Sequence, residues 1–238
     1  MDLKETDILS DDISQHWYYR SKAMAMTRLL GKAQISTILD VGAGSGFFSR
    51  HLLSNSPAHD AWCADISYDD DSDALENGKP IHFRRSIDQL DADLVLLMDV
   101  LEHVDDDVGL LEQYANKVPR GARFLISVPA FQFLWSDHDV FLEHKRRYQL
   151  KQIEDVTRRA GLTIVRGAYY FGAVFPIAAI IRLSARSASS GDMPVRSQLA
   201  KHHPLVNGTL GMLCSLELPL MKFNRVAGLS AFCLAEKR

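Results

Sequence analysis

The stretch ILDVGAGSGFFSRHLL, residues 38–53, constrains this chain more than any other. An apolar, β-branched run leads into three glycines within five residues. Phe47, Phe48, Leu52 and Leu53 then follow at helical spacing. That pattern is strand, tight turn, helix. A bare backbone at such a turn lets a ligand come close and exposes amide donors at the helix N-terminus. In an open α/β sheet these turns lie at the carboxyl ends of the strands, where ligands bind. The competing reading is a tight turn that holds nothing. Spacing narrows the ligand. Dinucleotide dehydrogenases need Gly-x-Gly-x-x-Gly. Here Gly42, Gly44 and Gly46 run Gly-x-Gly-x-Gly, with Phe47 in the place of the last glycine.

The same alternation continues along the chain. HWYYRSKAMAMTRLL, residues 16–30, reads as an amphipathic helix stopped by Gly31. Strands are expected at TILDV, AWCAD, IHF, ADLVLLMDV, ARFLISVP, LTIVRGAYYF and LSAFCLAEK. Helices are expected after Gly46, in DDVGLLEQYANKV and in LKQIEDVTRRAG. DISYDDDSDALENGKP reads as an acidic, turn-rich loop. Strands alternating with helices predict an α/β, Rossmann-like sheet of seven mostly parallel strands with helices on both faces. One block, residues 172–226, breaks the pattern. Two apolar stretches there flank the polar linker SARSASSGDMPVRSQ. The organisation is one domain: an N-terminal lid helix (1–33), a ligand-binding core (34–170), an apolar helical insertion (171–226) and a terminal strand (227–238).

Composition sets the outer bounds. At 47% hydrophobic and 24% charged, 238 residues can bury a sizeable core. The net charge of -3 carries no nucleic-acid signature. Charge is uneven, however: residues 143–201 hold 11 Lys and Arg against 4 Asp and Glu. That segment either faces an anionic partner or is a solvated basic face. Cys63, Cys214 and Cys233 are dispersed, which argues against disulfides or a zinc site and suits a reducing compartment. No metal is expected. The acidic N-terminus has no apolar signal core, and no window is apolar over about 18 residues. A cytoplasmic enzyme is expected, with peripheral contact at the inner face of the membrane left open.

Asp65 ends the second strand, about 20 residues past the glycines, where a carboxylate can accept both ribose hydroxyls. ILDVGAGSG, CADIS and DLVLLMDVLEHV, in that order, resemble the class I methyltransferases that use S-adenosylmethionine. The resemblance spans roughly residues 15–170, and HWYYR is similar to the small bacterial members grouped as type 11 or 12. It implies a role for each matching residue. Asp40 would take the methionine ammonium, and the turn Gly42, Ala43, Gly44 to Gly46 would run beneath the methionine and ribose. Asp65 would hold the ribose and Ile66 would pack on the adenine. Ser86 and Ile87 would meet the adenine edge, although many members carry an acidic residue at the Ser86 position. Asp99 would border the transferable methyl. Without the ligand, Asp40 would merely cap a helix and Ile66 would be core.

A methyl on a sulfonium needs positioning more than activation, but a general base helps if the acceptor is a hydroxyl. His103, in LEHV, is either that base or structural. His138 and His144 are further candidates, in WSDHDVFLEHKRRY after the fifth strand. Asp137, Arg147 and Tyr148 share that segment as candidate acceptor-binding residues. Arg147 would grip a carboxylate or phosphate in bidentate fashion, or pair with Glu143 at the surface. His16, Trp17, Tyr18 and Arg20 would form a lid over the cofactor, or pack on the sheet edge. The apolar insertion would line a lipophilic acceptor site, lie in a membrane interface beside Arg182, Arg186, Arg196 and Lys201, or make a homodimer contact. The expected activity is O-methylation of a small or lipid-linked, glycan-related acceptor. The rivals are a non-catalytic cofactor-binding module and a nucleotide-dependent oxidoreductase; Phe47 speaks against the latter. A nucleic-acid substrate is not expected, because no basic-aromatic stripe is present.

Overall fold

The structure, a computed structural model, describes residues 10–188 and 203–238. The first periodic run forms α1 (Trp17–Leu30), ended by Gly31 at φ 62°. Ala23, Ala25 and Met26 on α1 are fully buried. TILDV forms β1 (Thr37–Val41), and the glycine turn leads into α2 (Phe47–Asn55). There follow β2 (Asp60–Ala64), β3 (Ser72–Glu76), β4 (Lys79–Arg84) and β5 (Leu94–Met98). Next come α3 (Asp107–Ala115), β6 (Arg123–Pro129), a short α4 (Asp137–Phe141), α5 (Leu150–Arg159) and β7 (Leu162–Tyr170). The chain ends with α6 (Phe175–Ala188), α7 (Pro204–Glu217) and β8 (Ser230–Lys237).

The strands form one sheet in the order β3-β4-β2-β1-β5-β6-β8-β7. β1 pairs in parallel with β2 and β5, and the β2–β4 and β5–β6 pairs are also parallel. β8 runs antiparallel between β6 and β7. The sheet has eight strands rather than the expected seven. The extra one, β3, arises within the acidic stretch read as a loop, and it pairs antiparallel with β4. Asn77 and Gly78 both take positive φ, 50° and 77°, the turn that matches hairpin twist. Asp73 on β3 is hydrogen-bonded by His82 and Arg84 of β4. Cross-strand partners therefore accommodate the acidity that suggested a loop.

Successive strand residues feed opposite cores. Ile38, Leu94 and Leu96 join a cluster with Met26 of α1, Leu52 of α2 and Cys214 of α7. Leu39, Val95 and Leu97 join another with Leu111 of α3 and Ile153 of α5. Each buried Leu or Ile contributes roughly 1.5–3 kcal/mol. β5, buried on both faces, anchors the residues that follow it.

Two sets of hydrogen bonds hold the insertion, one to the start of α1 and one to its own first residues after β7. Asn207 Oδ1 on α7 accepts from Trp17 N at 2.8 Å, and its amide donates to Gln15 O at 3.0 Å. Glu217 accepts from Gly172 N at 2.8 Å and Ala173 N at 3.0 Å. Exposed apolar residues remain on both helices, with Ile177, Ile180 and Ile181 on α6 and Leu205, Met212 and Leu216 on α7. Most of the expected polar linker, with Arg196 and Lys201, lies outside the described residues. Among the described residues no helix is long and apolar enough to cross a membrane.

Candidate active site

The glycine turn is bare for reasons the backbone makes plain. Gly42, Gly44 and Gly46 sit at φ 65°, 52° and 74°, where other residues are strained. A Cβ on Gly42 would come within 2.8 Å of Val100 Cγ2. One on Gly46 would come within 3.1 Å of Phe83 Cε1 and 3.3 Å of Cys63 Sγ. The turn is thus pressed against the ends of β2, β4 and β5. Asp40 at the end of β1 is buried and accepts from Ser49 Oγ at 2.8 Å. Asp65, just past β2, accepts from Gly44 N at 3.0 Å and Ser67 N at 2.9 Å. Burial opposes its ionisation, but the Ser67 and Gly44 bonds outweigh that and hold the carboxyl below its ordinary value. Ile66 stands beside it, exposed. Beyond β4, Ser86 is exposed and Ile87 is buried.

Asp99 follows β5 at φ 58°. It accepts from Ser127 Oγ at 3.0 Å and forms an ion pair with Lys22 of α1. The Lys22 side chain has no exposed surface and also donates to Tyr18 Oη at 3.0 Å. Burial works against the ammonium, yet Asp99 and Tyr18 hold its pKa above the ordinary lysine value. Sequence reasoning missed Lys22. Its signal is a lysine set among Ala23, Ala25 and Met26, the helix residues that are fully buried.

The segment after β6 is not a loop throughout. Ser136 caps α4 through a reciprocal bond with Asp139. Asp139, fully buried, then gathers two other residues. Arg147 donates to it bidentately, Nε to Oδ1 at 2.7 Å and Nη2 to Oδ2 at 3.0 Å. His144 Nδ1 lies 2.9 Å from Asp139 Oδ1. Burial disfavours this carboxylate, but His144 and Arg147 hold it ionised, well below the usual range. Arg147 is therefore paired with buried Asp139 and not with Glu143 at the surface. Tyr148 is buried and its hydroxyl bonds the Asp107 carboxylate at 2.9 Å.

Between α1, α4, α6, α7 and the ends of β5, β6 and β8 lies a cavity of about 530 Å³. Its walls include Leu142, Val174, Ile177, Ala178, Ile181, Leu210 and Leu229. Trp17 and Tyr18 close one side. Its polar end gathers Asp99, Glu102, His138, His144, Arg147 and Arg182. Arg20, Asp137 and Tyr148, expected to meet the acceptor, do not line it, nor does His103. Arg20 and Asp137 point to solvent, and Tyr148 is held inward by Asp107. His138 is pushed down to about 4 by burial and by Arg182. Arg182 itself falls to about 10 through burial and the nearby Arg147, and it donates to Leu134 O at 3.2 Å. Glu102 is fully buried, and burial together with Asp99 raises its carboxyl well above the ordinary range. His103 is pushed down to about 3 by burial and by His144.

Glycine turn, ionised Asp65 and Asp99 thus share one rim, and that rim opens on the cavity at Asp99. A family model described as a methyltransferase domain, of type 23, matches residues 14–166, more than half of the chain. The chain belongs to this methyltransferase family. It is an S-adenosylmethionine-dependent methyltransferase, and the oxidoreductase alternative is set aside. The residues fit the cofactor, since a turn with three glycines lies beside an ionised carboxylate and an exposed apolar residue. No curated protein matches the sequence. Among solved structures, the methyltransferase bound to the Trm112 activator from Haloferax volcanii is 16% identical, with TM-score 0.57, covering 95% of this chain and 92% of that one. Phosphoethanolamine N-methyltransferase 2 of Haemonchus contortus is 17% identical, with TM-score 0.52, covering 92% of this chain and 52% of its own. The pyocyanin biosynthetic protein PhzM is 13% identical, with TM-score 0.52, covering 92% and 56%. The chain spans about half the length of the latter two. These likenesses concern the fold.

Proposed function

We propose that this methyltransferase modifies a hydroxyl on an acceptor with a lipophilic body, such as a lipid-linked or glycan-related molecule. The observation that carries this reading is the cavity of about 530 Å³, apolar along the insertion and polar where it meets Asp99. That volume and that split of surfaces suit one amphiphilic ligand. When bound, S-adenosylmethionine supplies a methyl on a sulfonium, a good leaving group. The chain's own residues bind and orient. Asp40 and Asp65 hold the cofactor's ammonium and ribose, the Gly42–Gly46 turn runs beneath it, Ile66 packs on the adenine, and Ser86 and Ile87 meet its edge. Asp99, clamped by Lys22 and Ser127, borders the methyl. Trp17 and Tyr18 shield the reaction from water. His138, uncharged at neutral pH, takes the hydroxyl proton. The exposed apolar faces of α6 and α7 beside the cavity would let the acceptor enter from a lipid surface.

The test is transfer of labelled methyl from S-adenosylmethionine by the full chain to three acceptor sets: hydroxylated lipids, short water-soluble polyols, and amines. The expected outcome is label in the lipid phase as an alkali-stable ether. Label confined to amines or to water-soluble acceptors would overturn the proposal while leaving the family assignment intact.

A further inference from the structure

We propose that Glu102, His103 and His144 form a binding site for a divalent transition-metal ion of the zinc class at the polar end of the cavity. One ligand atom from each residue lies within 4.8 Å of the other two. Glu102 is 0% exposed, and neither of its carboxylate oxygens has a hydrogen-bond partner. His103 Nε2 is likewise buried without one. Buried carboxylates are normally paired or bound to a metal, because an unpaired one loses its hydration and gains nothing back. The two imidazole rings stand edge to face with centroids 4.7 Å apart.

Asp139 holds His144 through Nδ1, which leaves Nε2 as the remaining ligand atom. A carboxylate on the far nitrogen of a metal-binding histidine fixes the ring and raises its basicity. Asp139 is in turn anchored by the Arg147 fork, so the ring is set by a rigid second layer. Two imidazoles and one carboxylate are a donor set suited to zinc with an open position. Ligand atoms about 2.0–2.2 Å from one ion stand roughly 3.3 Å apart, so side-chain rotations of about 1 Å close the site. Glu102 and His144 both line the cavity, which places the open position toward the acceptor.

The use of the ion rests on the acceptor proposed above. A hydroxyl bound at the open position becomes more acidic. It gives its proton to His138, its oxygen lone pair forms the new bond to the methyl carbon, and the carbon–sulfur electron pair leaves on sulfur.

The experiment uses tag-free full-length protein, stripped with a chelator and dialysed. Zinc chloride is titrated by calorimetry and cobalt chloride by visible absorption. The expected result is one ion per chain, with cobalt bands typical of four or five nitrogen and oxygen ligands. Glu102→Gln and His144→Ala should each weaken binding at least tenfold, and His59→Ala, at an exposed site before β2, should not. If Glu102→Gln fails to fold by circular dichroism, His144→Ala decides. Absence of one-site binding, or affinity unchanged in the variants, overturns the proposal. S-adenosylmethionine titrated into the same samples separates the two readings, since cofactor binding without metal binding defeats the metal site alone.

Discussion

The pair of Lys22 and Asp99 predicts an asymmetry that stability measurements can read. The Lys22 side chain is 0% exposed and that of Asp99 is 25% exposed. Asp99→Asn keeps shape and tolerates the left-handed backbone at φ 58°. It strands an ammonium in the core with the Tyr18 hydroxyl as its main support. Breaking a buried pair in this way costs about 3–5 kcal/mol. Asp99 also raises the Glu102 carboxyl, so removing its charge eases Glu102 toward ionisation and toward Lys22. The lower end, about 3 kcal/mol, is therefore expected, or a fall of roughly 6–12 °C in Tm. Lys22→Met should cost less, about 1–2 kcal/mol, because Asp99 keeps Ser127 and can be hydrated. The double variant should recover most of the loss.

The pH dependence gives an independent check. In the parent protein the folded pKa of Lys22 lies above its ordinary 10.5. The pair's contribution is thus full below about pH 10 and is lost as pH rises through the folded value. In Asp99→Asn, burial prevails and the folded pKa drops below the unfolded one. The unfolded state then binds more protons, so the variant gains stability as pH rises toward about 10. Urea unfolding at neutral pH and near pH 9.5 measures both effects. A loss under about 1 kcal/mol, or a gap to the parent that does not narrow with pH, would refute the reasoning.

Asp65→Ala should weaken S-adenosylmethionine binding by about 1–3 kcal/mol, roughly 5- to 150-fold, as read by calorimetry; unchanged affinity would remove Asp65 from the ribose. His138→Ala should slow methyl transfer about 100-fold or more at unchanged cofactor affinity, as single-turnover assays with the acceptor would show. Replacing Ile180 and Leu216, exposed on α6 and α7, by Ser should reduce co-sedimentation with anionic vesicles without lowering Tm. Equal sedimentation of parent and variant would mean that these faces do not meet lipid.

Residues 38–53, with the alternation of strands and helices that follows them, carried the architecture. Glycine spacing and helical periodicity are local, and a strand followed by a tight turn and a helix has few ways to pack. The hairpin of β3 and β4 was not read, because the acidic composition of the stretch suggested a loop and Asp73 meets His82 and Arg84 only across the folded pair. The rim residues Asp40, Asp65 and Asp99 were readable because each lies at or just past the carboxyl end of a strand. The polar end of the cavity was not. Lys22 meets Asp99 across 77 positions, and Arg182 reaches the Leu134 carbonyl across 48. No periodicity encodes such pairings. Sequence alone determined the alternation of elements, the bare glycine turn between the first strand and helix, and the family. Tertiary structure decided that Arg147 is held by Asp139, that Tyr148 faces inward and that Glu102 is buried beside two histidines. The physical reason is that burial and charge pairing depend on which elements the sheet order brings together, and that order is set only when the whole chain closes on its two cores.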